Sequence, residues 1–331
     1  MKQTSASVSR DVHWTLEGAT VDATVVRPAG AGPFPGVVFV AGSGPTDRNW
    51  NSPLLPGTNG SAALLAEACA AAGIVSLRYD KRASGPRARE TIMAMAGRVS
   101  MRGHADELAG AVRALASEPN VRRDRLYAIA NSEGTLHALN YQLQEPEIPL
   151  AGLALIAPPG RSVGVVARAQ LAAQAALVPD GEAMMARYDA AVARFVAGEE
   201  VPPDPALPPG VQGLLQSLTA PVNLPFTREL WTTDGASLLR QVHVPVLVVI
   251  GKKDIQVDWR DDGRPLKQAV AGRDGVSFAF PSNANHVLKH EPRPRGELTA
   301  EAAVSYNAEG AILDPEATEI VLAWLWRLSS P

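Results

Sequence analysis

The sequence is poor in cysteine and has no long apolar run. Its one cysteine, Cys69, has no partner for an intrachain disulfide. Because no histidine or motif accompanies it, we interpret it as a buried, inert thiol rather than a nucleophile. The first residues are polar where a secretory signal needs an apolar core, and no stretch reaches the roughly 20 apolar residues that span a bilayer. These absences favour a cytoplasmic protein that does not enter a membrane.

No charge of one sign dominates the sequence. The 31 lysines and arginines and the 34 aspartates and glutamates leave a formal net charge of -3, so neither nucleic acid nor an anionic membrane is an expected partner. A hydrophobic fraction of 46% and a charged fraction of 20% are typical of a globular protein. A chain of 331 residues can hold one large α/β domain or two small ones.

Short apolar runs that alternate with helical stretches occupy most of the chain. Two β-rich runs on either side of Gly18 predict an N-terminal antiparallel hairpin. After it, near-continuous apolar runs separated by helices are typical of a parallel sheet that is covered on both faces. The sequence therefore predicts a doubly wound α/β core. Its predicted strands are residues 37–41, 74–77, 126–130, 153–156, 246–250 and 276–280, and its predicted helices are residues 61–72, 106–117 and 318–328.

A long segment, residues 161–239, interrupts this alternation. It contains two helical stretches, residues 165–177 and 182–196, followed by the proline-rich run VPPDPALPPG. Because a structureless loop of that length is improbable in a compact domain, we interpret the segment as a helical cap or lid inserted above the sheet, with residues 1–160 and 240–331 forming the core. A separate helical domain is the weaker interpretation, because strand-like runs resume after the segment and complete the sheet.

One apolar run leads directly into Ser132 and then into a helix. Ala130, Ser132 and Gly134 form a small-x-Ser-x-Gly pattern, in which a tight strand-to-helix turn lifts the serine hydroxyl above the sheet and crowding excludes large neighbours two positions away. The helix N-terminus favours an oxyanion, and the backbone amide of Glu133 is placed to donate to it. We therefore interpret Ser132 as a nucleophile, although the usual pattern has glycine where Ala130 stands.

A glycine-containing loop follows the first predicted strand of the core. Its residues Gly42, Ser43 and Gly44 can point backbone amides at a ligand. We assign the second oxyanion donor to the Ser43 amide, with Gly44 as the alternative. A phosphate-binding loop is not favoured, because the lysine and the following hydroxyl residue of that motif are missing, and a plain strand-to-helix turn stays open. Asp47 and Arg48 are expected to fix this loop with an ion pair.

Two aspartates and two histidines are candidates for the remaining roles. The carboxylate that orients a catalytic histidine is expected directly after a strand, which favours Asp254 over Asp258. In a sheet of this kind the chain order is serine, acid, histidine, so the base is His286 or His290. His286, in the loop after the last predicted strand, is the stronger candidate. The nearby aspartates are interpreted as solvated surface rather than a cation site, because no matching set of ligands occurs elsewhere in the sequence.

Five segments carry a family resemblance by their order and spacing: AGSGPTDRN, LRYDKRASG, IANSEG, VPVLVVIGKKDIQV and NANHVLKH. Together they resemble bacterial α/β-hydrolases of the carboxylesterase and serine-aminopeptidase-like superfamily, from about residue 37 to the C-terminus except for the insertion. The resemblance implies a catalytic triad and an oxyanion hole, formed by Ser132, Asp254 and His286 and by the backbone N–H groups of Ser43 and Glu133. It implies no metal, nucleotide or organic cofactor. Ala130, and Ala83 where glycine is usual, depart from the family pattern.

The activity implied by the resemblance is acyl transfer through a serine. Ester hydrolysis is the first expectation, and a peptidase, a thioesterase or an acyltransferase would use the same residues. The apolar, alanine-rich insertion favours a small-molecule ester or amide with a hydrophobic acyl or aryl group. The basic stretch could bind a substrate carboxylate, but a structural ion-pair network is the favoured role of Arg78, Lys81, Arg82 and Arg87. A non-catalytic binding protein of the same fold is the alternative from another class, and a homo-oligomer is left open.

Overall fold

A mixed β-sheet organises the fold. The computed structural model describes residues 7–95 and 97–329, and within these ranges the sheet has eight strands in the order β1-β2-β4-β3-β5-β6-β7-β8. β2 is antiparallel to β1 and β4, and the other neighbouring strands are parallel. The predicted hairpin and mostly parallel sheet are thereby confirmed. The strands are β1 Val8–Leu16, β2 Ala19–Arg27, β3 Phe34–Val40, β4 Val75–Tyr79, β5 Val121–Asn131, β6 Gly152–Ile156, β7 Val246–Val249 and β8 Val276–Ala279.

Helices cover both faces of the sheet. In the described ranges they are α1 Ser61–Ala71, α2 Ala88–Met95, α3 Met101–Ala116, α4 Glu133–Leu143, α5 Val163–Ala175, α6 Gly181–Ala197, α7 Pro209–Thr219, α8 Phe226–Thr232, α9 Gly235–Gln241, α10 Gly263–Ala269 and α11 Pro315–Ser329. Buried side chains of α1 and α11 pack on one face, and those of α3, α4, α9 and α10 pack on the other. This is the predicted doubly wound arrangement. None of the helices described is long and apolar enough to cross a membrane.

The central strand β5 shows why the apolar runs of the sequence are continuous. Tyr127 and Ile129 point towards α1 and α11, whereas Leu126, Ala128 and Ala130 point towards the opposite face, as the two-residue period of a strand requires. Both faces are covered, so every position in this run is buried. The sequence predicted β5 only from residue 126, because residues 122–125 are charged and residues 121–125 are more exposed than the rest of the strand.

Five helices, α5 to α9, lie between β6 and β7, where the sequence predicts a cap. Helices α5 to α8 contribute to an apolar cluster of their own, whose buried members are Tyr188, Phe195, Leu207, Val211, Leu215, Leu218 and Trp231. This cluster also contacts the rest of the protein through α8, since the N–H of Phe226 donates to the carbonyl oxygen of Val99 at 3.0 Å. α9 packs on α4 and α10 instead, and its Leu239 is fully buried in the main core.

Replacing Ala83 by glycine should stabilise the protein. Ala83 has a φ of 60° in the loop after β4, a left-handed conformation that costs an L-residue about 1 kcal/mol or more relative to glycine. We expect Ala83→Gly to raise the midpoint of thermal unfolding by about 1 to 2 °C. Gly18→Ala is the matched control, because Gly18 has a φ of 83° and an added Cβ would meet no atom within 4 Å; its midpoint should fall. A midpoint for Ala83→Gly at or below that of the wild type would contradict this reasoning.

Candidate active site

Ser132 occupies the turn between β5 and α4. Its backbone has a φ of 54° and a ψ of -126°, a conformation that costs a non-glycine residue roughly 1 to 3 kcal/mol. Two hydrogen bonds hold the turn: the N–H of Ser132 donates to the carbonyl oxygen of Ile156 at 2.8 Å, and the carbonyl oxygen of Ser132 accepts from the N–H of Thr135 at 2.9 Å. The strain is therefore sustained by contacts with β6 and with the first turn of α4.

This turn lies very close to the end of β3. A Cβ on Gly134 would lie 2.5 Å from the carbonyl oxygen of Ala41, and a Cβ on Gly42 would lie 3.2 Å from the Cβ of Ser132. Position 134 therefore admits no side chain without displacement of the backbone, which is the crowding that the sequence pattern predicts. The methyl group of Ala130 is fully buried in the core, so the structure accommodates this departure from the usual glycine.

Asp254 and His286 form a buried carboxylate–imidazole pair. Oδ2 of Asp254 lies 2.9 Å from Nδ1 of His286, and their side chains are 0% and 6% exposed. The other carboxylate oxygen accepts from the backbone N–H groups of Gln256 and Val257 at 2.8 and 3.0 Å. The imidazole stacks on the ring of Tyr306, with 6.2 Å between ring centroids. With Nδ1 donating to the carboxylate, the other ring nitrogen, Nε2, is the one that can accept a proton.

The two weaker candidates make other contacts. Asp258 accepts from the backbone N–H groups of Arg260 and Asp261 at 2.8 and 3.1 Å. Nδ1 of His290 lies 3.0 Å from Oδ2 of Asp314. Neither residue is among the described residues that line the cavities next to Ser132. In the structure the carboxylate that contacts His286 belongs to Asp254, and neither Asp258 nor His290 takes part in this pair.

Two cavities meet at Ser132 and His286. The first, which we call the cap-side cavity, has a volume of about 260 Å³, and the apolar residues of its lining are Leu136, Pro159, Val163, Val166, Ala167, Leu230 and Val257. The second, which we call the loop-side cavity, has a volume of about 280 Å³, and its lining includes Trp50, Leu54, Leu55, Val287, Ala303 and Tyr306. Ser43 and Gln256 also line both. A group attached to Ser132 thus has space on two sides.

Ser43 and Glu133, the residues predicted to supply the oxyanion donors, both lie at these cavities. Ser43 lines both of them and Glu133 lines the cap-side cavity, whereas Gly44 is not among the described residues that line either. Within residues 7–95 and 97–329, neither N–H donates to a protein acceptor. The carbonyl oxygen of Ser43 accepts from the hydroxyl of Thr46 at 2.8 Å, which restrains the loop. Two N–H donors without acceptors, one at a helix N-terminus, suit an oxyanion.

The prediction that Asp47 and Arg48 form an ion pair with each other is wrong. Oδ1 of Asp47 accepts from the backbone N–H groups of Asn49 and Asn51 at 2.8 and 2.9 Å, because a short carboxylate bonds most readily to the N–H groups of the turn that follows it. The longer side chain of Arg48 reaches the end of β4, where its guanidinium lies 2.9 Å from Oδ2 of Asp80. Both residues restrain the loop, but each does so through a different partner.

The basic residues at the end of β4 and after it are paired with protein groups. Their partners are Asn49 for Arg78, Glu133 for Lys81, Glu107 for Arg82 and Asp22 for Arg87. In the described part of the chain, none of these four cations lines the cavities at Ser132. Their contacts favour the structural network over a site for a substrate carboxylate. Cys69 is buried, and burial raises the pKa of its thiol to about 12. A thiol with so high a pKa is not a reactive nucleophile.

Buried ionisable side chains lie at the start of α4. Oε1 of Glu133 is 3.4 Å from Nζ of Lys81 and 3.2 Å from Nε2 of His137, and the ring of His137 stacks on that of His104 with 4.4 Å between centroids. Burial by itself would raise the pKa of Glu133, but Lys81 and His137 outweigh it and hold the pKa well below its usual range. Burial, and then the neighbouring His104, lower the pKa of His137 from 6.5 to about 4.

Sequence reasoning missed two residues that contact His286. Nδ2 of Asn131 donates to the backbone carbonyl oxygen of His286 at 2.9 Å, so the residue before Ser132 ties the histidine loop to the turn. Tyr306, which stacks on the imidazole, follows a short 3-10 helix at residues 300–305. The position of Asn131 beside the serine was a usable signal. No sequence signal indicated Tyr306, because its segment shows no strand or helix periodicity.

Comparisons with known proteins identify the fold. No protein-family model matches the chain. Esterase EstD of Thermotoga maritima is 28% identical over 264 residues, which are 80% of this chain and 57% of the relative, so the chain spans little more than half of that protein. The crystal structure of 2,6-dihydroxy-pseudo-oxynicotine hydrolase superimposes with a TM-score of 0.56 at 13% identity, covering 97% of this chain and 68% of that one. The alpha/beta hydrolase GrgF of Penicillium sp. sh18 gives 0.55 at 16%, covering 97% and 99%. The chain has the α/β-hydrolase fold.

The α/β-hydrolase fold explains why these distant residues meet. The candidate groups all follow parallel strands of the sheet: Ser43 after β3, Lys81 after β4, Ser132 after β5, Asp254 after β7 and His286 after β8. The carboxyl ends of parallel strands lie at one edge of a sheet, and ligands of open α/β sheets bind there. The fold class inferred from the sequence is confirmed.

Acid should destabilise this protein partly through His137. Because its folded pKa of about 4 lies below the ordinary 6.5, the unfolded chain binds a proton in this range that the folded chain does not, and the free energy of unfolding falls as the pH drops from 6.5 towards 4. His137→Gln removes this proton uptake, so urea unfolding should depend less on pH between 4 and 6.5. His13→Gln, on an exposed side chain of β1, is the control and should keep the wild-type dependence. An unchanged dependence in His137→Gln would refute the assignment.

Proposed function

We propose that this protein is a serine hydrolase that cleaves carboxylic esters, with Ser132 as nucleophile, His286 as general base and Asp254 as the carboxylate that orients it. One observation carries the proposal: His286, whose Nδ1 lies 2.9 Å from the buried carboxylate of Asp254, lines the same two cavities as Ser132. The strained turn at Ser132, at the N-terminus of α4, supports the same roles.

The proposed reaction uses only side chains and backbone groups of this chain. As Oγ of Ser132 attacks the substrate carbonyl carbon, Nε2 of His286 takes the hydroxyl proton, and Asp254 stabilises the imidazolium that forms. The N–H groups of Ser43 and Glu133 bind the tetrahedral oxyanion, and loss of one such donor typically costs on the order of a hundredfold in rate. His286 then protonates the leaving group. Water, activated by the same histidine, hydrolyses the acyl-enzyme.

The cavities support a substrate that is apolar next to the scissile bond. The cap-side cavity is walled by apolar residues of α5 and α8, so we assign residues 161–239 the role of a cap that shapes the substrate site. Its one cationic lining residue, Arg161, pairs with Asp262 through two hydrogen bonds of 3.1 and 2.9 Å, and its charge is therefore compensated. A hydrophobic acyl or aryl group fits this lining better than a charged one does.

Esters are favoured over amides and thioesters by one further consideration. The curated relative with 28% identity is named an esterase, although this chain spans only 57% of it. A peptidase, thioesterase or acyltransferase would use the same triad. A binding protein that keeps the fold without turnover is the contrasting candidate, and it is separated from all of these by reaction with an active-site label.

Ser132→Ala should abolish both labelling and turnover. In the wild type, a fluorophosphonate probe should modify Ser132, and p-nitrophenyl butyrate should be hydrolysed, because the hydroxyl has a base and an oxyanion site at hand. Labelling is read by peptide mass spectrometry and hydrolysis by absorbance. Ser43→Ala is the matched control, since it removes a hydroxyl from the same cavities but keeps its backbone N–H. A folded wild type that is neither labelled nor active would favour the binding protein.

Asp254→Asn and Asp258→Asn should differ sharply. Loss of the orienting carboxylate leaves His286 without its partner, so kcat should fall by about 10³- to 10⁴-fold in Asp254→Asn. Among the described residues, the side chain of Asp258 accepts only from the nearby backbone N–H groups of Arg260 and Asp261, and its variant should retain the wild-type rate within about twofold. The measurement is kcat for p-nitrophenyl butyrate with both proteins confirmed as folded. The opposite ranking would assign the carboxylate to Asp258.

A further inference from the structure

Lys81 lies between the two segments that carry the candidate oxyanion donors. It comes two residues after β4, and its side chain is only 7% exposed. Its Nζ donates to the backbone carbonyl oxygen of Gly42 and lies 3.4 Å from Oε1 of Glu133. Gly42 immediately precedes Ser43, one donor, and Glu133 supplies the other. A single ammonium group therefore contacts both sides of the candidate oxyanion hole.

The contact with Gly42 fixes the direction of the Ser43 N–H. A trans peptide is planar, and its C=O and N–H point in opposite directions; in the described chain the cis bonds precede Pro33 and Pro225, so the bond between Gly42 and Ser43 is trans. With the carbonyl drawn towards Lys81, the N–H of Ser43 points away from Lys81. Ser43 lines both cavities, whereas Lys81 is not among the described residues that line either, so the direction away from Lys81 is the direction of the cavities.

The backbone around this peptide needs an external restraint. Glycines flank Ser43 on both sides, and Gly44 has a φ of 72° with open space where a Cβ would stand. Glycine allows more backbone conformations than other residues do, so rotation of the peptide is weakly opposed by the loop itself. A Cβ at Gly42 would lie 3.2 Å from the Cβ of Ser132, so the peptide that follows Gly42 is close enough to this serine for its orientation to matter there.

Glu133 keeps the ammonium group of Lys81 in place. Its carboxylate is 6% exposed, and Lys81 and His137 hold its pKa well below the usual range despite burial, so it stays ionised. Removal of either partner alone would leave a buried charge without compensation, which is strongly destabilising in proteins. The two side chains therefore act as a unit.

We propose that Lys81 and Glu133 are positioning residues that orient the peptide between Gly42 and Ser43, so that the Ser43 N–H points at the oxyanion formed on the substrate. This proposal rests on the proposed function, because it gives the pair a role only if Ser132 performs acyl transfer. A purely structural ion pair would affect folding but not the stabilisation of the transition state relative to the substrate.

The test compares Lys81→Met with the double variant Lys81→Met, Glu133→Gln. The single variant leaves the Glu133 carboxylate uncompensated and can fail to fold, whereas the double variant replaces both charges with neutral groups of similar size. Val321→Ala, in α11, is the control for lost stability, because Val321 is fully buried and packs on the face of the sheet covered by α1 and α11, opposite the face covered by α4. The substrate is p-nitrophenyl butyrate. The inhibitor is an aryl trifluoromethyl ketone, which Ser132 converts into a tetrahedral oxyanion adduct.

We expect kcat of the double variant to fall by about 10- to 100-fold, with KM within about threefold of the wild type and the inhibition constant of the ketone raised by a factor similar to the loss in kcat. Val321→Ala should keep kcat and the inhibition constant. If the wild type is active and the folded double variant matches it in both quantities, the positioning role is overturned while the proposed function stands. If the wild type shows no hydrolysis that depends on Ser132, the proposed function itself fails.

Discussion

The contact between the turn at Ser132 and the end of β3 determines the geometry of the candidate site. Gly134 lies so near the carbonyl oxygen of Ala41 that a Cβ would come within 2.5 Å of it. This approach lets α4 begin directly above the sheet edge, so its first N–H and the loop after β3 lie on two sides of one serine. A side chain at position 134 would separate them. The φ of 54° at Ser132 persists because packing with β3 and β6 over-determines the turn.

The residues on either side of Ser132 connect the turn to the rest of the site. Asn131 binds the backbone of His286 at 2.9 Å, and Glu133 contacts Lys81, which in turn holds the carbonyl of Gly42. The candidate nucleophile is thereby linked to the candidate base on one side and, on the other, to the loop that carries the proposed oxyanion donor Ser43. Buried polar groups of this kind stabilise a structure only when each has its partner, which makes the site sensitive to single changes.

The sequence predicted what depends on local pattern and missed what depends on contacts across the sheet. Apolar runs predicted the core strands. The strand-turn-helix pattern favoured Ser132, and positions after predicted strands favoured Asp254 and, with the order serine, acid, histidine, His286. Lys81 and Glu133 are separated by 52 residues, and no motif or periodicity in the sequence indicates that they pair. Closeness in sequence also led to a wrong prediction, because Asp47 and Arg48 are neighbours in sequence and yet bond to different groups. Ala83 keeps a φ of 60° without the usual glycine, so the backbone follows its packing rather than local preference.

The most direct test of acyl transfer at Ser132 is to trap the intermediate. Wild-type protein is mixed with excess p-nitrophenyl ester, quenched in acid within the first turnover, digested, and analysed by peptide mass spectrometry. A covalent acyl-enzyme predicts that the peptide containing Ser132 gains the mass of the acyl group while one equivalent of p-nitrophenol is released. Release of p-nitrophenol with the acyl group on another residue, or turnover that persists in Ser132→Ala, would contradict the assignment of this serine as nucleophile.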